Sequence, residues 1–184
     1  MNKYQLLLSS LERTDRLLSV FNSRLGQTVS WLVFFMMLLM CLVVLLRHGF
    51  SLGSIALQES IGYLHALVFL TAAAYTQKQD AHVRVDIFYQ HFNARQKAWV
   101  NLIGTLLFLL PMSVFIFISS FDYVVQSWYI NGQWRFEQSS QPGGLPTVFL
   151  LKTFIWCFAL LLTLQGIADT CRHLATLLQP KSPQ

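Results

Sequence analysis

Glu59 and Lys152 are the carboxylate and the amine that the sequence places at the edges of long apolar runs. Such charges can bind an ion or a proton in a low-dielectric slab, or they can hold helices together. A charge at the bilayer centre costs on the order of 3 kcal/mol on insertion scales, so groups of this kind face protein or water. Both residues sit toward the ends of their runs, where the cost is smaller. The structural readings are snorkelling to the interface, a pair between the second and fourth runs, or a pair with a partner subunit. His65 is the histidine inside a run, whereas His48, His82, His91 and His173 lie at or beyond run ends. A membrane haem needs facing axial imidazoles at similar depth, so His65 reads as a packing or hydrogen-bonding residue. His82, Asp86 and His91 match no strong metal-ligand spacing. No nucleophile beside a base, glycine-rich phosphate loop or carboxylate pair is legible, so nothing points to catalysis, a cofactor or a metal. Cys41, Cys157 and Cys171 form no CxxC pair and read as small apolar packing residues.

The elements that must position these residues are four apolar runs. They lie between Arg24 and Arg47, between Glu59 and Lys78, between Lys97 and Asp122, and from about Leu145 to Asp169. Roughly 20 apolar residues in a helix cover the ~30 Å of hydrocarbon in a bilayer. Only 11% of the chain is charged, against about 25% in soluble domains. The expected fold is an all-α integral membrane protein, one membrane domain over residues 1–184. Its expected transmembrane helices cover 28–47, 59–77, 97–121 with an extension toward 130, and 145–168. Residues 4–25 predict an interfacial amphipathic helix, with Leu7, Leu11, Leu18, Phe21 and Leu25 at helical spacing and Arg13, Arg16 and Arg24 between them. The first run is too long for a cleavable signal peptide and reads as an uncleaved span.

The net charge of +5 sits mostly on one side of these runs. Ten of the Lys and Arg residues precede the first run, join the second to the third, or follow the fourth; only Arg47, Arg135 and Lys152 fall opposite. The positive-inside rule then predicts cytoplasmic N- and C-termini. The basic charge is a topology signal that favours anionic phospholipids as partners and gives no reason to invoke nucleic acid.

Local signals add detail. Ser9 with Glu12 has the spacing of a capping box, and Asn93 with Gln96 suits a helix start. Glu59 is expected in the first turn of its helix, where the dipole favours an anion. Gly62, Ala66 and Ala72 to Ala74 give the second run a small-residue character suited to close helix packing. Pro111 predicts a bend in the third run. Trp128, Tyr129 and Trp134 read as an interfacial aromatic belt, Asn131-Gly132 as a turn, and Pro146 as part of the first turn of the last helix.

The order of these features resembles a known family. A basic amphipathic N-terminus precedes four runs; Glu59 opens the second and Ala72-Ala-Ala-Tyr75 closes it; His82-Val-Arg-Val-Asp86 follows; Glu137-Gln-Ser139 precedes a Gly/Pro turn and the last run. This is similar to the small membrane subunit of tripartite ATP-independent periplasmic (TRAP) transporters, the DctQ-like family. The resemblance implies a multi-pass protein of the bacterial inner membrane that acts as a non-catalytic scaffold. It implies a large membrane subunit that carries substrate and binds the sodium, and a periplasmic substrate-binding protein that delivers an organic acid. On this basis Glu59, Gly62, Ala66, Ala73, His82, Arg84, Asp86, Glu137, Ser139 and Lys152 are the candidate interface or structural residues. The alternatives are an autonomous small exporter of the multidrug type, and a membrane haem or quinone redox protein.

Overall fold

The computed structural model describes residues 3–79, 89, 91–134 and 136–179. Helix α1 runs Lys3–Gly49 and α2 runs Ile55–Lys78. The third span is composite: α3 (Ala94–Gly104), a π-helical turn (Thr105–Leu109), α4 (Leu110–Ser119) and α5 (Phe121–Trp128). A short hairpin of β1 (Tyr129–Ile130) and β2 (Gln133–Trp134) follows, and α6 (Val148–Leu178) completes the order. Four of these stretches are long and apolar enough to cross a membrane. The protein is an all-α integral membrane protein, as its sequence predicts. Helix α6 packs against every other helix, and α1 packs on α2 and α6.

Helix α1 departs from the expected division into an interfacial helix at 4–25 and a separate span. It is one helix of 47 residues. No proline interrupts it, and its hydroxyl side chains turn back onto its own carbonyls: Thr28 donates to Arg24 O at 2.9 Å and Ser30 to Gln27 O at 2.7 Å. Ser9 likewise donates to Leu6 O within the helix, so the expected Ser9–Glu12 cap has no helix end to serve.

Gly26 makes the crossing of α1 and α2 possible. A Cβ added there would lie 2.6 Å from Tyr75 Cβ. The face of α2 that turns inward holds Thr71 and Ala74, both buried. Gly62 lies twelve residues before Ala74, and at about 100° per residue that places it about 120° around the helix. A Cβ added at Gly62 meets nothing within 4 Å, so it makes no close approach within the described chain. Ala66 and Ala73 are half-buried. Cys41 and Cys157 are exposed on the outside of the bundle, against the expectation that they pack within it.

The composite third span has local causes. Asn93 caps α3, its backbone N–H donating to Gln96 Oε1 at 2.9 Å as the spacing predicts. Pro111 offers no N–H to the helical ladder. One residue earlier the Leu110 N–H reaches back five residues to Thr105 O, so the regular ladder slips into a π turn before the proline. Asn131 and Gly132 both take positive φ, 51° and 79°. That pair fits the type I′ turn matched to a two-residue hairpin. Thr147 holds the N-cap position of α6 without a side-chain capping bond, which leaves Pro146 just outside the helix rather than in its first turn. Ser54 caps α2 by accepting from Leu57 N, so Glu59 lies in the second turn and not the first.

Replacing Gly26 by Val drives a branched side chain into Tyr75. Overpacking of this kind costs about 1–3 kcal/mol. The purified variant should melt at a lower temperature in detergent, whereas Gly62→Ala should melt with the wild type.

Candidate functional site

Polar side chains gather at the two ends of the bundle. At one end the connection between α5 and α6 folds back over the helix tips. Glu59 receives two donors from it: the Ser139 hydroxyl bonds Oε1, and the Leu145 N–H bonds Oε2 at 2.6 Å. Ser139 also closes the loop on itself, its N–H donating to Leu145 O at 3.0 Å while its Oγ accepts from Gln141 N at 3.2 Å. Gly144 is required beside this lock, because an added Cβ would lie 2.8 Å from Glu59 Oε1. Glu137 pairs through Oε2 with Lys152 Nζ at 2.6 Å, and the ammonium stands 4.2 Å from the centre of the Tyr123 ring. The Glu137 N–H holds Ser127 O at 2.9 Å, which ties the same loop to α5.

Of the readings left open for Glu59 and Lys152, a direct pair between them is not the one that forms: each is bonded separately to one loop. Glu59 and Lys152 each meet a loop partner because the returning chain brings a hydroxyl, an N–H and a carboxylate to the helix ends. Trp128 also differs from its expected place in the aromatic belt. Its Nε1 donates to Thr153 Oγ1 at 2.9 Å, and its ring packs edge-on against Phe136 and Phe149. Tyr129 and Trp134 remain exposed on the hairpin, their rings 5.7 Å apart. His65 is exposed and stacks on Phe69 at 6.1 Å.

The other end holds a network that hydropathy patterning misses. Asp169 is 1% exposed, Gln165 0% and Asn22 2%. Asn22 Nδ2 donates to Gln165 Oε1 at 2.9 Å, and Gln165 Nε2 donates to Asp169 Oδ1 at 3.0 Å. The Arg172 guanidinium bonds the same oxygen at 2.6 Å, while Gln77 Nε2 donates to Asp169 Oδ2 at 3.2 Å. Lys78 Nζ reaches across to α1, donating to Ser19 O at 3.1 Å and Ser23 Oγ at 3.0 Å. Helices α1, α2 and α6 are thus joined by side chains from Asn22 to Arg172. The signal that could have revealed it is the spacing of Gln165, Asp169 and Arg172, which places all three on one helical face.

The predicted residues divide accordingly. Glu59, Glu137, Ser139 and Lys152 come together at the loop. Gly62 faces outward, and Ala66 and Ala73 lie along α2. His82, Arg84 and Asp86 lie outside the described residues.

Both clusters fasten helices and loop to one another. A family model described as "Tripartite ATP-independent periplasmic transporters, DctQ component" matches residues 36–176. The chain belongs to the DctQ family. No curated protein and no solved structure matches it. As a DctQ component it is part of a transporter in the inner membrane, and the family implies association with a large membrane subunit and a binding protein.

Two substitutions separate the clusters. Glu59→Gln places an amide N–H₂ against one of two donors that now face a carboxylate. The donor left facing that amide loses its acceptor, which weakens the hold on the loop. The loop at 136–146 should open more often, seen as faster cleavage there by added protease while the helices stay intact. Asp169→Leu strands Gln77, Gln165 and Arg172 together. Removing one member of a buried charged network costs about 3–5 kcal/mol. That variant should yield little monodisperse protein after detergent extraction, and Asp169→Asn should recover part of the yield.

Proposed function

We propose that this chain is the fixed, non-transporting subunit of a sodium-coupled TRAP transporter for an organic acid. The large partner carries the substrate and the sodium, and this subunit widens the stationary frame beside it. What supports the reading most is the state of the charges in its spans. Glu59, Lys78, Lys152 and Asp169 are each bonded to groups of this same chain. A residue that carries an ion across must exchange partners during transport, whereas these act as fasteners.

The basic residues favour cytoplasmic termini. In that orientation the Glu59 loop and the aromatic hairpin face the periplasm, where the substrate-binding protein arrives. Tyr129, Trp134 and Phe136 then present exposed rings at the docking side. The large subunit fits the outward face of α2, where Ile55, Gln58, Gly62, His65 and Phe69 are exposed at alternating spacings of three and four residues. Glycine at the middle of such a stripe lets a second helix approach closely, and close packing drives helix association in lipid.

Gly62→Leu tests this directly, because Gly62 is exposed and a Cβ added there meets nothing within 4 Å. The variant should keep the wild-type melting temperature yet recover severalfold less of a large membrane protein on affinity purification. Unchanged recovery removes α2 as the contact face. Sodium-driven uptake of an organic acid by the purified chain alone in proteoliposomes would overturn the subunit reading as a whole.

A further inference from the structure

A crevice of about 990 Å³ opens between α2, α3, the π turn and α6 at the Asp169 end. Its two parts differ in chemistry. Lys78 and Arg172 line it from the ends of α2 and α6, and the third span lines it with an apolar track of Val100, Gly104, Phe108 and Met112. Val100, Phe108 and Met112 are strongly exposed, so no described part of this chain covers the track. We propose that this crevice binds one anionic phospholipid of the adjoining leaflet, its phosphate at Lys78 and Arg172 and an acyl chain along the track. The inference does not rest on the transport role above.

Length and charge favour a lipid over a small soluble anion. From Val100 to Met112 the track runs roughly 18 Å at 1.5 Å per residue. One leaflet of hydrocarbon is about 15 Å deep, half of the ~30 Å core. The track therefore matches one acyl chain, starting at the polar end of the third span and ending near mid-membrane depth. Lys78 bonds only uncharged groups among the described residues, Ser19 O and Ser23 Oγ, although Glu12 and Asp15 line a neighbouring hollow with it. The bonds to Ser19 and Ser23 take two of the three donors of its ammonium. Asp169 does not repel an incoming anion strongly: it is buried, and its oxygens are bonded by Gln165, Arg172 and Gln77. A cation with no carboxylate partner among the described residues, set at the head of a leaflet-deep apolar track, is complementary to a phosphodiester on a diacyl tail. The π turn fits the same account, because it reshapes the wall at Thr105, Phe108 and Leu109, and such turns are frequent at functional sites.

Gly104 supplies a variant that adds bulk to the crevice at a position with room for a Cβ. A Cβ there meets nothing within 4 Å, and Gly104 is helical. The test uses the purified full chain, equilibrated with phosphatidylglycerol or phosphatidylcholine and examined by native mass spectrometry. Wild type should hold one phosphatidylglycerol under activation that strips phosphatidylcholine. Gly104→Leu should lower that retention at least threefold with unchanged helical content. Lys78→Gln should abolish the preference between the two lipids. Equal retention of both lipids by wild type, or wild-type preference in Gly104→Leu, overturns the site. Inorganic phosphate that displaces the lipid at millimolar concentration also overturns it, since it would reveal a site for a free anion. In intact membranes, a photoreactive phenylalanine analogue at Phe108 should give a lipid adduct. A crosslink to a large membrane protein instead would overturn the proposal, because a partner helix would then fill the track.

Discussion

Hydrocarbon offers no water to a polar group, so a polar side chain between membrane helices is costly unless it finds a partner in protein. Asp169 shows how far this chain goes to meet that demand. Its carboxylate is bonded by Gln165 and Arg172 of its own helix and by Gln77 of α2, and Gln165 passes the connection on to Asn22 of α1. Three helices that share little driving force to associate in lipid are held in one register by hydrogen bonds strengthened in the low local dielectric. The tight crossing at Gly26 and Tyr75 depends on the same registration, because it lies about one turn along α1 from Asn22.

The two ends of the bundle solve the same problem differently. At the Asp169 end, helix side chains bond helix side chains, and the geometry follows from where the helices cross. At the Glu59 end, a single irregular segment supplies the partners. Glu59 is held by Ser139 and Leu145, and Lys152 by Glu137, so the loop between α5 and α6 is pinned to two helices at once. A loop held by charge-assisted bonds is a defined surface. Its order makes it suited to present the exposed rings of Tyr129 and Trp134 in a fixed place.

Much of the fold was legible because hydropathy reports directly on a bilayer. The four spans, the Asn93 cap of α3 and the Asn131-Gly132 turn all follow from local composition and spacing. The unbroken α1 was not, since amphipathic residues at 4–25 carry no sign of whether the helix continues through Gly26. Among the predicted site residues, Glu59, Glu137, Ser139 and Lys152 do assemble, but their pairing was hidden: it depends on how residues 136–146 fold back, which no periodicity encodes. Asn22, Gln77 and Gln165 passed unnoticed because single amides look ordinary until three helices bring them within 3.2 Å of their partners. Gly26 was missed for the same reason, since the need for its missing side chain resides in Tyr75 on another helix.

The length of α1 has a mechanical consequence. At 1.5 Å per residue its 47 residues extend about 70 Å, more than twice the ~30 Å of hydrocarbon. Lys78 grips it at Ser19 and Ser23, and Asn22 is bonded beside that grip. The stretch before Ser19 therefore extends past this grip as a lever arm. A tilt of the bundle within its lipid displaces the far part of such an arm most, so a spectroscopic probe near Leu6 would act as a pointer for motions too small to follow inside the membrane.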